Sequence, residues 1–271
     1  MRLYSACLVC CLVCTGCHTL NLLMPVASDP DSAEALWRSG QTALTEGKPD
    51  EAISFYERSL KADPSRTRNH LSLAAAHLEA GNQTAACEHL GYFLADNPNQ
   101  PALRAQYAEL LLGLGRGPQA RMEFARFVAE AQDAPETDLR QRIHAHGRLM
   151  ELAEEAGNPY EMHLERGIGL FLLACCRAEL EQPEGEMPAE GLLCKAAGEL
   201  TVAHNLCPEN ARPCWYLHLT WGRLGQKALA NRWLHEALSA APHAQLTPAE
   251  QRSLEIAVRH HEGSTCVARV R

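Results

Sequence analysis

Apolar residues return along this chain at helical spacing. From about residue 33 onward, stretches of a dozen or more residues carry Leu, Ala or an aromatic three or four positions apart, with charged and amide residues between them. The stretches are punctuated regularly. Gly47-Lys48-Pro49-Asp50 ends one helix and starts the next, with glycine past the stop and an acid near the new N-terminus. Gly81, Gly115 and Gly225-Gln226 repeat that role, and Gly157-Asn158-Pro159 closes an amphipathic helix over 138–156. Proline closes the next level of organisation. Pro64 and Pro98 stand 34 residues apart, as do Pro208 and Pro242. A helix pair of that length cannot bury its own apolar face, so neighbouring pairs must stack on it.

The small and aromatic residues keep the same phase. Over Ala33–Pro64 the chain supplies Gly40, Gly47, Ala52, Tyr56, Ser59 and Pro64. Over Thr67–Pro98 it supplies Ala74, Gly81, Ala86, Phe93 and Pro98, with Leu90 in the aromatic place. Over Pro101–Gln132 it supplies Ala108, Gly115, Ala120 and Phe124, with Phe127 and Gln132 off the pattern. Small residues let two helices approach, the aromatic fills the gap between them, and proline cannot continue a helix. A later block carries Ala196, Leu200, Ala203 and Pro208, then Leu217, Gly225, Ala230, Ala237 and Pro242. On these residues the chain resembles the tetratricopeptide repeat (TPR) family over 33–132 and again over 191–242. The resemblance implies an all-α fold, a TPR-type α-solenoid in which antiparallel helix pairs form a right-handed superhelix. About five repeats and a cap are expected.

Between the blocks, 133–190 is an irregular helical segment. Tyr160–Leu180 reads as one long helix, and Pro183, Gly185 and Pro188 mark an insertion loop over 182–190. The long helix could serve as either member of a pair, so helix parity stays open here. Residues 243–271 form a capping helix and tail, with Thr247-Pro248-Ala249-Glu250 as its start and Glu250 in capping-box position.

The first 32 residues follow different rules. Arg2 precedes an uncharged run, Leu3–Val13, and then Cys14-Thr15-Gly16-Cys17. A basic start, an apolar stretch and small residues before a break read as an export signal over 1–16. An eleven-residue helix spans about 16 Å, roughly half a bilayer core. Thr15-Gly16-Cys17 resembles the end of a bacterial lipoprotein lipobox, with Cys14 departing from the usual leucine. That resemblance implies lipidation of Cys17, with 17–32 as lipidated N-terminus and tether. The expected protein is an exported, membrane-anchored lipoprotein of the bacterial cell envelope, facing the periplasm. An uncleaved anchor and a soluble secreted form are the competing readings. Cys14-x-x-Cys17-His18 also matches a haem-attachment spacing, but inside an export signal it would have no folded pocket.

Composition narrows function by exclusion. The 271 residues are 46% hydrophobic with a formal net charge of −8. Arg2 is the only charge in the first 16 residues, which leaves −9 for the rest. A body this acidic is a poor nucleic-acid binder. Beyond Cys17, the cysteines are Cys87, Cys175, Cys176, Cys194, Cys207, Cys214 and Cys266, most of them in predicted helices. They read as small buried hydrophobes, with Cys207 and Cys214 the best candidate disulfide. His144 with His146, and His260 with His261, diverge around a helix, and no metal-ligand or cofactor motif occurs. No nucleophile motif or phosphate loop points to an enzyme, and Glu151, Glu154 and Glu155 read as a solvated face.

What remains is a non-enzymatic scaffold for a protein or peptide partner, with a structural or self-assembling role as the alternative. The TPR resemblance implies that first helices line a concave groove. Carried onto this chain, the groove positions include Glu34, Trp37, Gln41 and Leu44; Arg68, Leu71, Ala75 and Leu78; Ala102, Ala105, Glu109 and Leu112; and Arg212, Trp215, Leu219 and Gly222. The Lys/Asn pair that holds a carboxylate terminus in chaperone-binding members is absent. Two readings stay open for Trp37 and Trp215: groove contact, or packing between repeats.

Overall fold

The computed structural model describes residues 31–132, 138–178, 187–240 and 245–269, with the side chains of 261–269 excepted. The expected export signal, Cys17, Pro183, Gly185, Pro242 and the side chains of His261 and Cys266 lie outside the described residues. Twelve α-helices and no strand occur among those described. They are α1 (Ala33–Thr45), α2 (Pro49–Ala62), α3 (Arg68–Glu79), α4 (Gln83–Asp96), α5 (Pro101–Gly113) and α6 (Gly117–Ala131). Then follow α7 (Leu139–Glu155), α8 (Pro159–Ala178), α9 (Ala189–Leu206), α10 (Ala211–Arg223), α11 (Lys227–Ser239) and α12 (Pro248–Arg269). The fold is all-α, a succession of packed helices joined by short turns. No described helix is long and apolar enough to cross a membrane.

One local device repeats at five places. Gly47, Gly81, Gly115, Gly157 and Gly225 all have φ between 66° and 79°, the left-handed region that glycine enters without a Cβ penalty. At each, the residue after the glycine donates its backbone N–H to a carbonyl five residues back, as in Lys48 N to Ala43 O at 2.9 Å and Gln226 N to Trp221 O at 2.9 Å. That bond satisfies a carbonyl the helix would leave orphaned and reverses the chain in two residues. Side chains open several helices: Ser32 caps α1, Asp138 caps α7 and Asn210 caps α10.

The chain divides into two compact units, Met1–His89 and Leu90–Arg271. In the first, α1 packs on α2 and α2 on α3. Gly40 faces Tyr56 so closely that a Cβ there would fall 2.6 Å from the ring, and Tyr56 is fully buried. Ser59, also buried, donates to the Ala33 carbonyl at 2.6 Å and accepts from Asn69 Nδ2 at 3.1 Å. The small–aromatic–small pattern of the repeat thus becomes one contact layer linking three helices.

In the second unit α5 pairs with α6, α7 with α8, and α10 with α11, while the most extensive packing is between α8 and α9. Helix parity is decided there. α8 follows the Gly157 turn as the second helix of a pair, and Glu161 near its start reaches another second helix through Arg121 on α6 at 2.7 Å. Farther along, α8 lies beside a first helix. Phe171 meets Tyr216 of α10 edge-on at 5.8 Å, and Glu165 takes Arg212 of α10 at 3.2 Å. α9 in turn adjoins a second helix, with His204 edge-on to Trp233 of α11 at 5.3 Å. Hence α8 is second helix to α7 and first helix to α9. The irregular middle is a three-helix unit, possible because α8 buries Leu164, Ile168, Phe171, Leu172 and Ala174. The Leu, Ile and Phe side chains among these each contribute about 1.5–3 kcal/mol when fully buried.

Candidate functional site

In the first unit, the predicted groove residues divide by exposure. Gln41, Arg68 and Leu78 are exposed, and Trp37, Leu44 and Leu71 are half-buried. Trp37 sits in the seam between α1 and α3, its indole N–H donating to Ser72 Oγ at 3.0 Å. The Arg68 guanidinium lies over its ring, 4.2 Å from the centroid. Arg68 also meets Glu34, which takes Arg66 at 2.7 Å and Arg38 at 3.0 Å. With Arg66 the largest cause, these cations hold the Glu34 carboxyl down at about 2.

Two clefts of the second unit take in predicted groove residues. The first, of about 300 Å³, lies between α5 and α7. Ala102 and Ala105 form one wall, Phe124 lies beneath, and Glu109, Arg140 and His144 make the polar rim. Glu109 is fixed from across the cleft by Arg148 Nε at 3.1 Å and His144 Nε2 at 2.7 Å. Three of the four groove positions of the third repeat therefore converge here; Leu112 is half-buried and lies outside the cleft.

The second cleft, of about 490 Å³, is bounded by α7, α8, α10 and α12. Trp215 and Leu219 line it, and Trp215 is only 3% exposed, stacked on His218 with centroids 5.3 Å apart. Trp215 thus belongs to both the core and the cleft wall. Beside it runs a buried polar network that spans the unit. His146 Nδ1 lies 2.5 Å from Glu165 Oε2. Arg212 donates to Glu165 Oε1 at 3.2 Å and to Glu250 Oε1 at 3.1 Å. The Tyr216 hydroxyl and Gln132 Nε2 donate to the same Glu250 oxygen at 2.9 and 3.2 Å. The expected capping box is present as well: Thr247 N donates to Glu250 Oε2 at 2.8 Å, and Glu250 N to Thr247 Oγ1 at 3.2 Å. Glu250 therefore starts α12 and ties it to α10 and to the end of α6.

Burial alone would raise both carboxyls. For Glu165 the charge and hydrogen bond of His146, then Arg212, outweigh it, so its pKa is lowered. For Glu250, Arg212 and the Thr247 amide do the same. Burial, then the Glu250 charge, pushes the Tyr216 phenol well above its ordinary range.

Of the predicted groove residues, Trp215 and Leu219 line this cleft and Arg212 joins the network beside it, while Gln132, Arg142, His146, Glu165 and Tyr216 were not among the predicted site residues. The signal lay in ionisable side chains on apolar faces, such as Glu165 between Leu164 and Ile168. Cys207 and Cys214, the candidate disulfide, are unpaired. Cys214 instead sits 3.3 Å from His204 Nδ1, but burial holds its thiol up at about 12, so this Cys–His contact is no activated nucleophile. No group of three or more metal-ligating side chains gathers among the described residues.

No family model and no curated protein matches the chain. Among solved structures it is similar to MamA, at 16% identity over 78% of this chain and 93% of that one, with a TM-score of 0.41. It is also similar to YrrB, described as a TPR protein with an unusual peptide-binding site, at 14% identity over 84% and 95%, TM-score 0.37. PilF of Pseudomonas aeruginosa aligns at 16% identity over 83% and 96%, TM-score 0.37.

Proposed function

We propose that the chain is a non-enzymatic scaffold that holds a segment of a partner protein, tethered to the bacterial cell envelope through Cys17. The observation that carries the binding part is the α5–α7 cleft. Ala102, Ala105 and Glu109 line it, positions at which the TPR resemblance implies partner contacts. Alanines keep the walls low, so a partner side chain can enter, and the Glu109–His144–Arg148 cluster offers polar contacts at the rim. The tether rests on Thr15-Gly16-Cys17 alone.

Two experiments test the parts separately. For binding, proteins crosslinked to the wild type and to Ala102→Trp are recovered from native envelopes and compared. A partner that is recovered by the wild type and lost in the variant is expected. The same proteins from both, or none above background, would overturn the reading. For the tether, labelled palmitate should enter the wild type and not Cys17→Ala; equal labelling of both, or of neither, defeats it.

A further inference from the structure

We infer that the α7–α8–α10–α12 cleft is a binding site for a small organic acid, one carboxylate on an apolar body. Its volume, about 490 Å³, falls in the range of small-ligand sites. Phe171, Trp215, Leu219 and Ile256 supply apolar walls.

The polar side of the cleft decides the ligand's charge. Arg142 lines the cleft, makes no ion pair or hydrogen bond with a described residue, and has its Nε buried. Arg212 Nη2, in the network alongside, is buried without a partner too. A guanidinium only donates, so both atoms call for an acceptor. The neighbouring carboxylates are already engaged. Glu165 takes His146 and Arg212. Glu250 also faces the cleft, but its oxygens take Arg212, Tyr216, Gln132 and the Thr247 amide. Among the described residues Arg142 is left without an acceptor while Glu165 and Glu250 are held by other donors, so a ligand in the cleft supplies it. A carboxylate fits the planar fork of Arg142 best. The inference is independent of the α5–α7 cleft and of any partner held there.

The test uses 4-phenylbutyrate and its uncharged amide as probes, with ligand-observed NMR on the wild type, Arg142→Gln and Arg116→Gln. Arg116 is an exposed arginine of the same unit. Saturable binding of the acid, about tenfold weaker binding of the amide, loss of that preference in Arg142→Gln and its retention in Arg116→Gln are expected. The inference fails if acid and amide bind alike, or if Arg142→Gln keeps the preference. It fails equally if Arg116→Gln loses it, or if the acid does not saturate by about 10 mM. An acetylated Glu-containing peptide forms a further arm. Binding of the peptide but not the free acid would overturn a small-ligand site and leave the partner-scaffold reading standing.

Discussion

Gly167 tests the packing on which the second unit depends. It lies within α8 where that helix meets α9. A Cβ there would fall 2.7 Å from Leu200 Cγ, 2.8 Å from Cδ2 and 3.3 Å from the Leu200 backbone nitrogen. Leu200 is fully buried, so its side chain has little room to swing aside, and the backbone atom can move only with the helix. Overpacking of this kind costs about 1–3 kcal/mol. Alanine returns about 1 kcal/mol of helix propensity over glycine. Gly167→Ala should therefore lie between neutral and about 2 kcal/mol destabilised. Gly198 is the control. It sits exposed on α9, and a Cβ there would meet no atom within 4 Å, so Gly198→Ala keeps the propensity gain of about 0.5–1 kcal/mol. Thermal unfolding followed by helical circular dichroism reads both, at about 2–4 °C per kcal/mol for a unit of this size. A lower melting temperature for Gly167→Ala than for Gly198→Ala is expected from the same substitution on facing helices. A Gly167→Ala protein that melts as high as Gly198→Ala would refute the close contact between α8 and α9.

Other expectations follow from the polar network and the thiols. Arg212→Met leaves Glu165 and Glu250 buried without their shared cation and should cost about 3–5 kcal/mol in urea unfolding; a loss under about 1 kcal/mol would mean the pairs contribute little. Both carboxyls have lowered pKa values in the folded state. Their contribution is therefore complete above the unfolded value of about 4.3 and is lost as pH falls through the folded ones. Acid titration by circular dichroism should show stability falling below about pH 4, and a flat profile from about pH 7 to 3 would contradict the network. Cys194 is exposed, whereas Cys214 is buried with its thiol held at about 12. Iodoacetamide at about pH 8 should label Cys194 first and spare Cys214 in the native state, read by peptide mass spectrometry. Early labelling of Cys214 would show that α10 opens.

Much of this was legible along the chain because the relevant forces act over a few residues. The five turn glycines, the Thr247–Glu250 cap and the Gly40–Tyr56–Ser59 layer all follow from local sterics and the repeat phase. The candidate sites were only half legible. Ala102, Ala105 and Glu109 fall together because repeat positions map onto one helix face. Glu250 could be seen as a cap but not as a partner of Arg212, 38 residues away, or of Gln132, 118 residues away. Periodicity marks an ionisable residue as facing inward; it does not name what it faces.

The sequence by itself determined the helices, their turns and their pairing within the two repeat blocks. Only the tertiary structure decided how the middle is joined. A periodic pattern specifies which face of a helix is apolar, not which neighbour covers it. α8 is apolar enough to satisfy two neighbours, so its double membership, the burial of Trp215 and the convergence of Arg142, Glu165, Arg212 and Glu250 depend on packing that spans the whole second unit.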